Sequence, residues 1–333
     1  MNLVTGASGL LGMHIVAELI SKGQPVKALV RPNSDLSFIK SVFNFYGIEN
    51  ELSKVEFVEG DVLDTDSLLA VIQEGDVIYH SAAVVSYHSA DRKLMYATNV
   101  KGTANVVNAA LENKAARVLQ ISSIAALKRK FDGLVSEEGD WENNDLNTHY
   151  GITKHLSELE IWRGIQEGID GVILNPGLII GPADFSRSSS SIFSKINEGF
   201  SFYPPGGTGF VGVKDVAKLA VLVAEKGKSG DRYVAVSENL SMKELFQDIA
   251  HELGVKVPSK EAKPWMLQAA RIAEWLKEKF TGKKALVTHE TVKNASIRFH
   301  YSNQKVKDAF EFEFSPVHDS IVETASFFRK QHS

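Results

Sequence analysis

Two rhythms of apolar and polar positions alternate along the first half of the chain. Short runs rich in β-branched residues at 2–5, 26–30, 55–58, 77–80 and 117–121 predict buried strands. Between them, residues 10–22 and the stretches near 35–45, 66–73 and 92–112 carry apolar side chains at helical spacing. Such alternation predicts an α/β fold whose parallel sheet is doubly wound and covered on both faces through right-handed crossovers. Beyond Leu178 the rhythm loosens into a smaller, mostly helical lobe. Residues 211–217 and 231–236 predict strand and helix elements that return to the main sheet. The expected division is therefore 1–177 plus about 209–237 in one part, and about 178–208 plus 238–333 in the other. Within the lobe, Ser241-Met-Lys-Glu244 has capping-box form. Residues 265–280 space Trp, Leu, Ala and Ile for a helix with lysines opposite, which predicts packing against the lobe in preference to a membrane surface. Residues 186–191 form a serine-rich patch read either as a loop near the substrate pocket or as a plain surface linker.

The first strand meets the first helix at Thr5-Gly-Ala-Ser-Gly-Leu-Leu-Gly12. Gly6 permits a tight turn, Gly9 leaves the backbone open to a pyrophosphate, and Gly12 permits close helix packing. The helix N-terminus then aims free N–H groups and its positive dipole end at phosphates. Gly6, Ser8, Gly9, Leu10, Leu11 and Gly12 are thus the candidate cradle for a dinucleotide.

In such sheets ligands lie beyond the carboxyl ends of the strands. After the second strand stands Arg31, where an acidic residue would accept from the ribose hydroxyls of NAD. An arginine suits the 2′-phosphate of NADP, so NADP is the expected cofactor and NAD the alternative. Asp61 and Val62 follow the third strand and are candidates for the adenine end. Ser81, Ala82 and Ala83 follow the fourth, where small side chains admit a cofactor. His80 is read as a packed strand-end histidine, and Tyr87 and His88 either as neighbours of a substrate or as plain surface residues. The fifth strand runs into Ser122 and Ser123. Downstream, Tyr150-Gly-Ile-Thr-Lys154 opens a helix, and residues four apart share a face. A neighbouring ammonium favours the phenolate, which would lower the Tyr150 pKa and make it a general acid or base.

Taken together these motifs resemble the extended short-chain dehydrogenase/reductase family, in its dihydroflavonol-reductase-like branch within the epimerase/dehydratase superfamily. Further matches are Asn99-Val-Lys-Gly-Thr103, Asn175-Pro-Gly177, Ile180-Gly-Pro182, Phe210-Val-Gly-Val-Lys-Asp-Val-Ala217 and Ser302-Asn-Gln-Lys305. The resemblance implies a Rossmann-type fold and catalysis by Ser123, Tyr150 and Lys154, with Asn99 supporting the hydrogen-bond network. It implies that Lys154 also binds the nicotinamide ribose, that Ser122, Tyr150, Pro176 and Gly177 belong to the cofactor site, and that the helices near 92–112 and 150–166 form a homodimer. Relatives acting on sugar nucleotides usually carry an arginine just before the Phe-Val-x-Val-x-Asp segment. Here that stretch is Gly206-Gly-Thr-Gly-Phe210, without a cation to hold a diphosphate. Ile124-Ala-Ala-Leu127 after Ser123 makes the local substrate wall more apolar.

Composition narrows the field further. Net charge is −4 without a long basic run, which does not recommend nucleic acid or a membrane as partner. The chain has no cysteine, excluding disulfides and thiolate sites, and its ten histidines lack metal-ligand spacing, so no metal is expected. The expected address is the cytoplasm and the expected partner a small molecule. The expected activity is NADP(H)-dependent reduction of a carbonyl, or oxidation of the alcohol. An epimerase or dehydratase with tightly held cofactor is the second reading, and a non-catalytic dinucleotide sensor the third.

Overall fold

A computed structural model describes residues 1–129, 133–186, 189–282, 284–285 and 287–332. Arg187-Ser188, of the serine-rich patch, lie outside the described residues. Strands β1 (Asn2–Thr5), β2 (Val26–Val30), β3 (Val55–Glu59), β4 (Val77–His80) and β5 (Arg117–Ile121) fall where the apolar runs predict them. With Gly171–Pro176 and Arg232–Ala235 they form one seven-stranded parallel sheet, in the order Arg232–Ala235, Gly171–Pro176, β5, β4, β1, β2, β3. The chain winds outward from β1 through β2 and β3, then returns to the other side at β4. This reversal opens a crevice at the carboxyl end of β1.

Each face of the sheet is buried under its own helices. Helix α1 (Leu10–Ser21) and helix Val213–Lys226 cover one face through Met13, Ile15, Leu19, Val216, Leu219 and Ala220. Helices Thr65–Val71, Gly102–Glu112 and His149–Gln166 cover the other through Leu68, Val106, Val107 and Ile161. The expected return of the later chain to this sheet holds for Val213–Lys226 and Arg232–Ala235. It does not hold for Gly207–Gly212, which instead joins a three-stranded sheet with Leu178–Ile180 and Glu238–Ser241. The two sheets touch where Gly177 meets Gly209. A Cβ on Gly177 would stand 2.5 Å from the Gly209 carbonyl oxygen, so only glycine admits this approach.

The Ser241 capping box is formed: Ser241 Oγ accepts from the Glu244 N–H at 3.1 Å, and the Glu244 carboxylate accepts from the Ser241 N–H at 2.7 Å. Asp215 holds the start of helix Val213–Lys226 to the C-terminal segment by accepting from the Ser315 N–H at 2.6 Å and its hydroxyl at 3.1 Å. Helix Pro264–Thr281 forms as predicted but does not pack as predicted, since none of its side chains is buried. Among the described residues no helix is long and apolar enough to cross a membrane.

One polar residue interrupts the otherwise apolar β2. Lys27 is 3% exposed, and its Nζ donates to Asp76 Oδ2 at 2.7 Å. Burial alone would raise the Asp76 carboxyl, but bonds from Lys27, the N-terminal amine and the Gln73 N–H outweigh it and hold the pKa below its ordinary 3.8. A carboxylate depressed on folding contributes stability that is complete above the ordinary pKa. That contribution is lost as pH falls through the folded value. The melting-temperature gap between the wild type and Asp76→Asn is therefore expected to narrow as pH is lowered from about 6 to about 3. A gap that stays constant would show that Asp76 folds with its ordinary pKa.

Candidate active site

The glycine loop closes over the end of β1. Gly6 has φ +66°, and a Cβ there would lie 2.7 Å from the backbone of Ala82. A Cβ on Gly12 would lie 2.1 Å from the Gly6 carbonyl oxygen, so Gly12 permits the helix to close on its own loop. Gly9 is exposed, accepts no side-chain cap, and starts a helix whose first turn holds no acid. These are the features that a dinucleotide pyrophosphate requires: open backbone, free N–H groups and no competing carboxylate. The loop fits the cofactor. Ser8 and Leu10 are half-buried at its edge, and Leu11 is buried beneath it.

Around this crevice the remaining candidates fall into two groups. Arg31 is exposed after β2, in a turn closed by a Ser34 N–H to Arg31 carbonyl bond at 3.0 Å. Its guanidinium makes no hydrogen bond or ion pair among the described residues. Asp61 accepts from the Leu63 N–H at 2.9 Å, and buried Val62 packs against Gly102. Ser81, Ala82 and Ala83 leave β4, with the Ala82 N–H donating to Thr5 Oγ1 at 3.2 Å. Pro176 ends its strand and Gly177 follows, its N–H bonded to the Ala235 carbonyl at 2.9 Å. Ser122 is placed differently from its neighbours. Its hydroxyl turns away from the crevice and donates to buried Glu158 at 2.5 Å.

His80 is locked in a chain of hydroxyls. Thr103 donates to the Asn99 carbonyl at 2.6 Å and so accepts from His80 Nε2 at 3.0 Å, while Thr5 lies 2.8 Å from His80 Nδ1. That pattern assigns the proton to Nε2. Burial, with a smaller effect from Lys154, pushes the His80 pKa down to about 3, so the ring is neutral and structural. Asn99 sits in a π turn, Tyr96–Lys101, inside an otherwise α-helical run. Its amide clasps the chain after β4, accepting from the Val84 N–H at 2.8 Å and donating to the Val84 carbonyl at 2.9 Å. It also donates to Thr153 at 3.0 Å, which ties that segment to the helix bearing Tyr150. A π turn of this kind marks functional sites more often than plain helix does.

Ser123 caps the short turn Ile124–Ala126 and stands against Tyr150 at the start of helix His149–Gln166. Thr148 caps that helix at the Gly151 N–H, 2.9 Å away. A Cβ on Gly151 would sit 2.5 Å from the Ala125 carbonyl oxygen, so the helix can approach the serine turn closely. Tyr87, placed by the loop after β4, meets the Tyr150 ring edge-on at 6.5 Å and remains 39% exposed. The phenol of Tyr150 therefore faces Ser123 on one side and an open aromatic wall on the other.

Electrostatics here differ from what the four-residue spacing alone suggests. Tyr150 and Lys154 share a face, yet Lys154 Nζ donates to the Ile121 carbonyl at 2.7 Å. Burial dominates both groups. It pushes Tyr150 well above its ordinary value, helped by Tyr87 and offset in part by the Ser123 hydroxyl, and it lowers Lys154 to about 8 against the opposing pull of Glu158. Tyr150 is thus a protonated phenol near neutrality. Glu158, one further turn along, was not singled out in the sequence. It is fully buried and collects Ser122, Asn175 at 2.6 Å and Arg232 at 3.3 Å. Burial raises its carboxyl above the ordinary carboxylate range despite these partners. Its signal lay in the same spacing, since positions 150, 154 and 158 form one stripe.

A glycine-rich turn thus stands at the switch point of a parallel sheet, beside a Ser-Tyr-Lys cluster. The sequence profile of the NAD dependent epimerase/dehydratase family matches residues 2–235. The chain belongs to that family. Membership makes it an NAD(P)-dependent enzyme acting on a small molecule. Among similar proteins, "Sterol demethylase protein B" of Methylococcus capsulatus is 29% identical over 268 residues, covering 80% of this chain and 78% of that one. A "Putative dihydroflavonol 4-reductase" of Synechocystis is 27% identical and covers 98% and 94%. The crystal structure of gox2253 superposes with a TM-score of 0.82 at 27% identity, covering 99% of this chain and 98% of that one.

Proposed function

We propose that the protein is an NADP(H)-dependent reductase of a carbonyl group on a small organic substrate. The observation that carries this reading is the buried, protonated phenol of Tyr150 beside Ser123, next to a wall left open at Tyr87. A group held protonated at neutral pH is suited to give a proton to an alkoxide as it forms. When bound, the nicotinamide cofactor supplies the hydride. Ser123 would orient and polarise the carbonyl oxygen, and Tyr150 would deliver the proton to that same oxygen. Gly6 to Gly12 would hold the pyrophosphate, Arg31 the 2′-phosphate, and Asp61, Val62 and Ser81 to Ala83 the adenosine side. Lys154, Pro176 and Gly177 would hold the nicotinamide side. The stretch before Phe210 supports a substrate without a diphosphate. A Cβ on Gly206 would lie 2.5 Å from the Ala295 and Ile297 carbonyl oxygens, and Arg298 beside it turns to Glu244 at 3.8 Å.

NADPH oxidation across a panel of aldehydes and ketones tests this reading. Consumption of NADPH is the expected result. Bound cofactor with no net consumption would move the assignment to an epimerase or dehydratase. Arg31→Ser is expected to raise KM for NADPH by about 10–100-fold, the worth of a hydrogen bond to a charged group, with KM for NADH unchanged. Equal losses for both cofactors would remove Arg31 from the phosphate site. A second copy would pack on the face made by the helices near 92–112 and 150–166, where Tyr96 and Leu159 are exposed. The cysteine-free composition suits work in a reducing cytoplasm.

A further inference from the structure

Helix Pro264–Thr281 is amphipathic in the inverted sense. At about 3.6 residues per turn, Trp265, Ala269, Ile272, Leu276 and Phe280 fall on one stripe with Trp275 at its border. That stripe faces outward. Phe280 is 86% exposed and Trp265 67%, with Ile272, Trp275 and Leu276 also exposed. The half-buried stripe opposite contains Leu267, Arg271, Glu274 and Glu278, so three of its four residues are charged. The attachment to the rest of the protein is correspondingly polar: Glu278 pairs with His88 at 2.9 Å, and Lys284 just beyond the helix pairs with Asp91 at 2.5 Å. Both partners lie in the loop that carries Tyr87, so the helix is moored beside the mouth of the cleft.

Charge says what the outward stripe faces. Between positions 263 and 284 stand six basic and two acidic residues, a net +4 in a chain of net −4. Lys277 and Lys279 flank the apolar stripe, with Lys279 Nζ lying 4.6 Å from the centre of the Trp275 ring. A second copy docking on this stripe by twofold symmetry would bring two such cationic segments together, which like charges oppose. An anionic bilayer surface accepts both features, rings and aliphatic side chains at the acyl boundary and lysines at the headgroups.

We propose that helix Pro264–Thr281 docks the protein on an anionic phospholipid surface, lying in the interface without spanning it. The sequence does not recommend a membrane partner because it lacks a long basic run. A helix lying in the interface requires only the local charge and the outward apolar stripe.

The test is flotation of the full-length protein with vesicles of phosphatidylcholine alone or with phosphatidylglycerol added. Binding to the anionic vesicles is expected, weakened by salt, with tryptophan emission shifted to the blue. The double variant Trp275→Glu/Phe280→Glu is expected to lose at least about a hundredfold in vesicle affinity, because burying each ring is worth about tenfold or more. Its thermal melt should match the wild type, since both side chains are more than half exposed. Absence of wild-type binding, or equal binding by the variant, would overturn the proposal. So would a variant that changes oligomeric mass but not flotation, which would assign the stripe to a second copy. Flotation is read without turnover, so its outcome is independent of whether the reductase assignment holds.

Discussion

Tyr150→Phe is expected to lower turnover by about 10²–10⁴-fold, the usual contribution of a positioned proton donor. The substitution removes one hydroxyl and keeps the ring. Its edge-on contact with Tyr87 and its place in the cluster with Met95 and Ala125 should survive. Dinucleotide affinity should survive as well, since the glycine loop lies on a different element. NADPH titration by fluorescence, set beside steady-state rates, separates the two effects. A variant that turns over normally would sink the assignment of Tyr150 as proton donor. A variant that loses cofactor binding in step with turnover would instead make the phenol a binding group.

Glu158→Ala is expected to cost about 3–5 kcal/mol of stability, the usual price of stranding one member of a buried charge pair. Arg232 has a side chain only 12% exposed, and its other bonds go to neutral carbonyls of Glu137 and Gly139. Removing the carboxylate also strands the Ser122 hydroxyl and leaves the Asn175 amide with only its bond to the Ser123 carbonyl at 3.0 Å, at the ends of two adjacent strands. Those strand ends carry Ser123 and Pro176, so the damage should reach the catalytic side. Glu158→Gln keeps the shape and one acceptor, and it should fall between wild type and Glu158→Ala in chemical denaturation. An alanine variant as stable as wild type would show that Arg232 finds water when its partner is gone.

The strands β1 to β5 were legible because an apolar run bounded by turn residues has few other uses in an α/β chain. The Gly6 turn and the Tyr150–Lys154 spacing were legible for a related reason, since each is a local geometry written in adjacent residues. Four features were not. Periodicity reports which residues share a helix face and is silent on where that face points, so the stripe through Trp265 and Phe280 reads like a core stripe and is not one. Spacing places Lys154 near Tyr150 but carries no information on burial, and burial decides the direction of the phenol's shift. The strand Gly207–Gly212 holds only Phe210 and Val211 as large apolar residues, and its assignment to the smaller sheet depends on partners at 178–180 and 238–241. For Glu158 the stripe shared with Tyr150 and Lys154 gives the position but not the burial: a glutamate on a helix ordinarily faces water, and only the tertiary packing of Arg232 and Asn175 buries it.

The contact between Gly177 and Gly209 bears on how a substrate gets in. The same region is crossed by the Asn303 side chain, which donates to the Val236 carbonyl at 2.7 Å, and by the Asp215 bonds to Ser315. Among the described residues the two sheets abut through bare backbone and are stitched by these part-buried polar bonds, a contact that resists a swing of one sheet about the other. A stiff contact of this kind favours entry past a surface loop over entry by domain opening. The loop bearing Tyr87 and His88, moored by its ion pairs to the helix above it, is the part placed to act as the door.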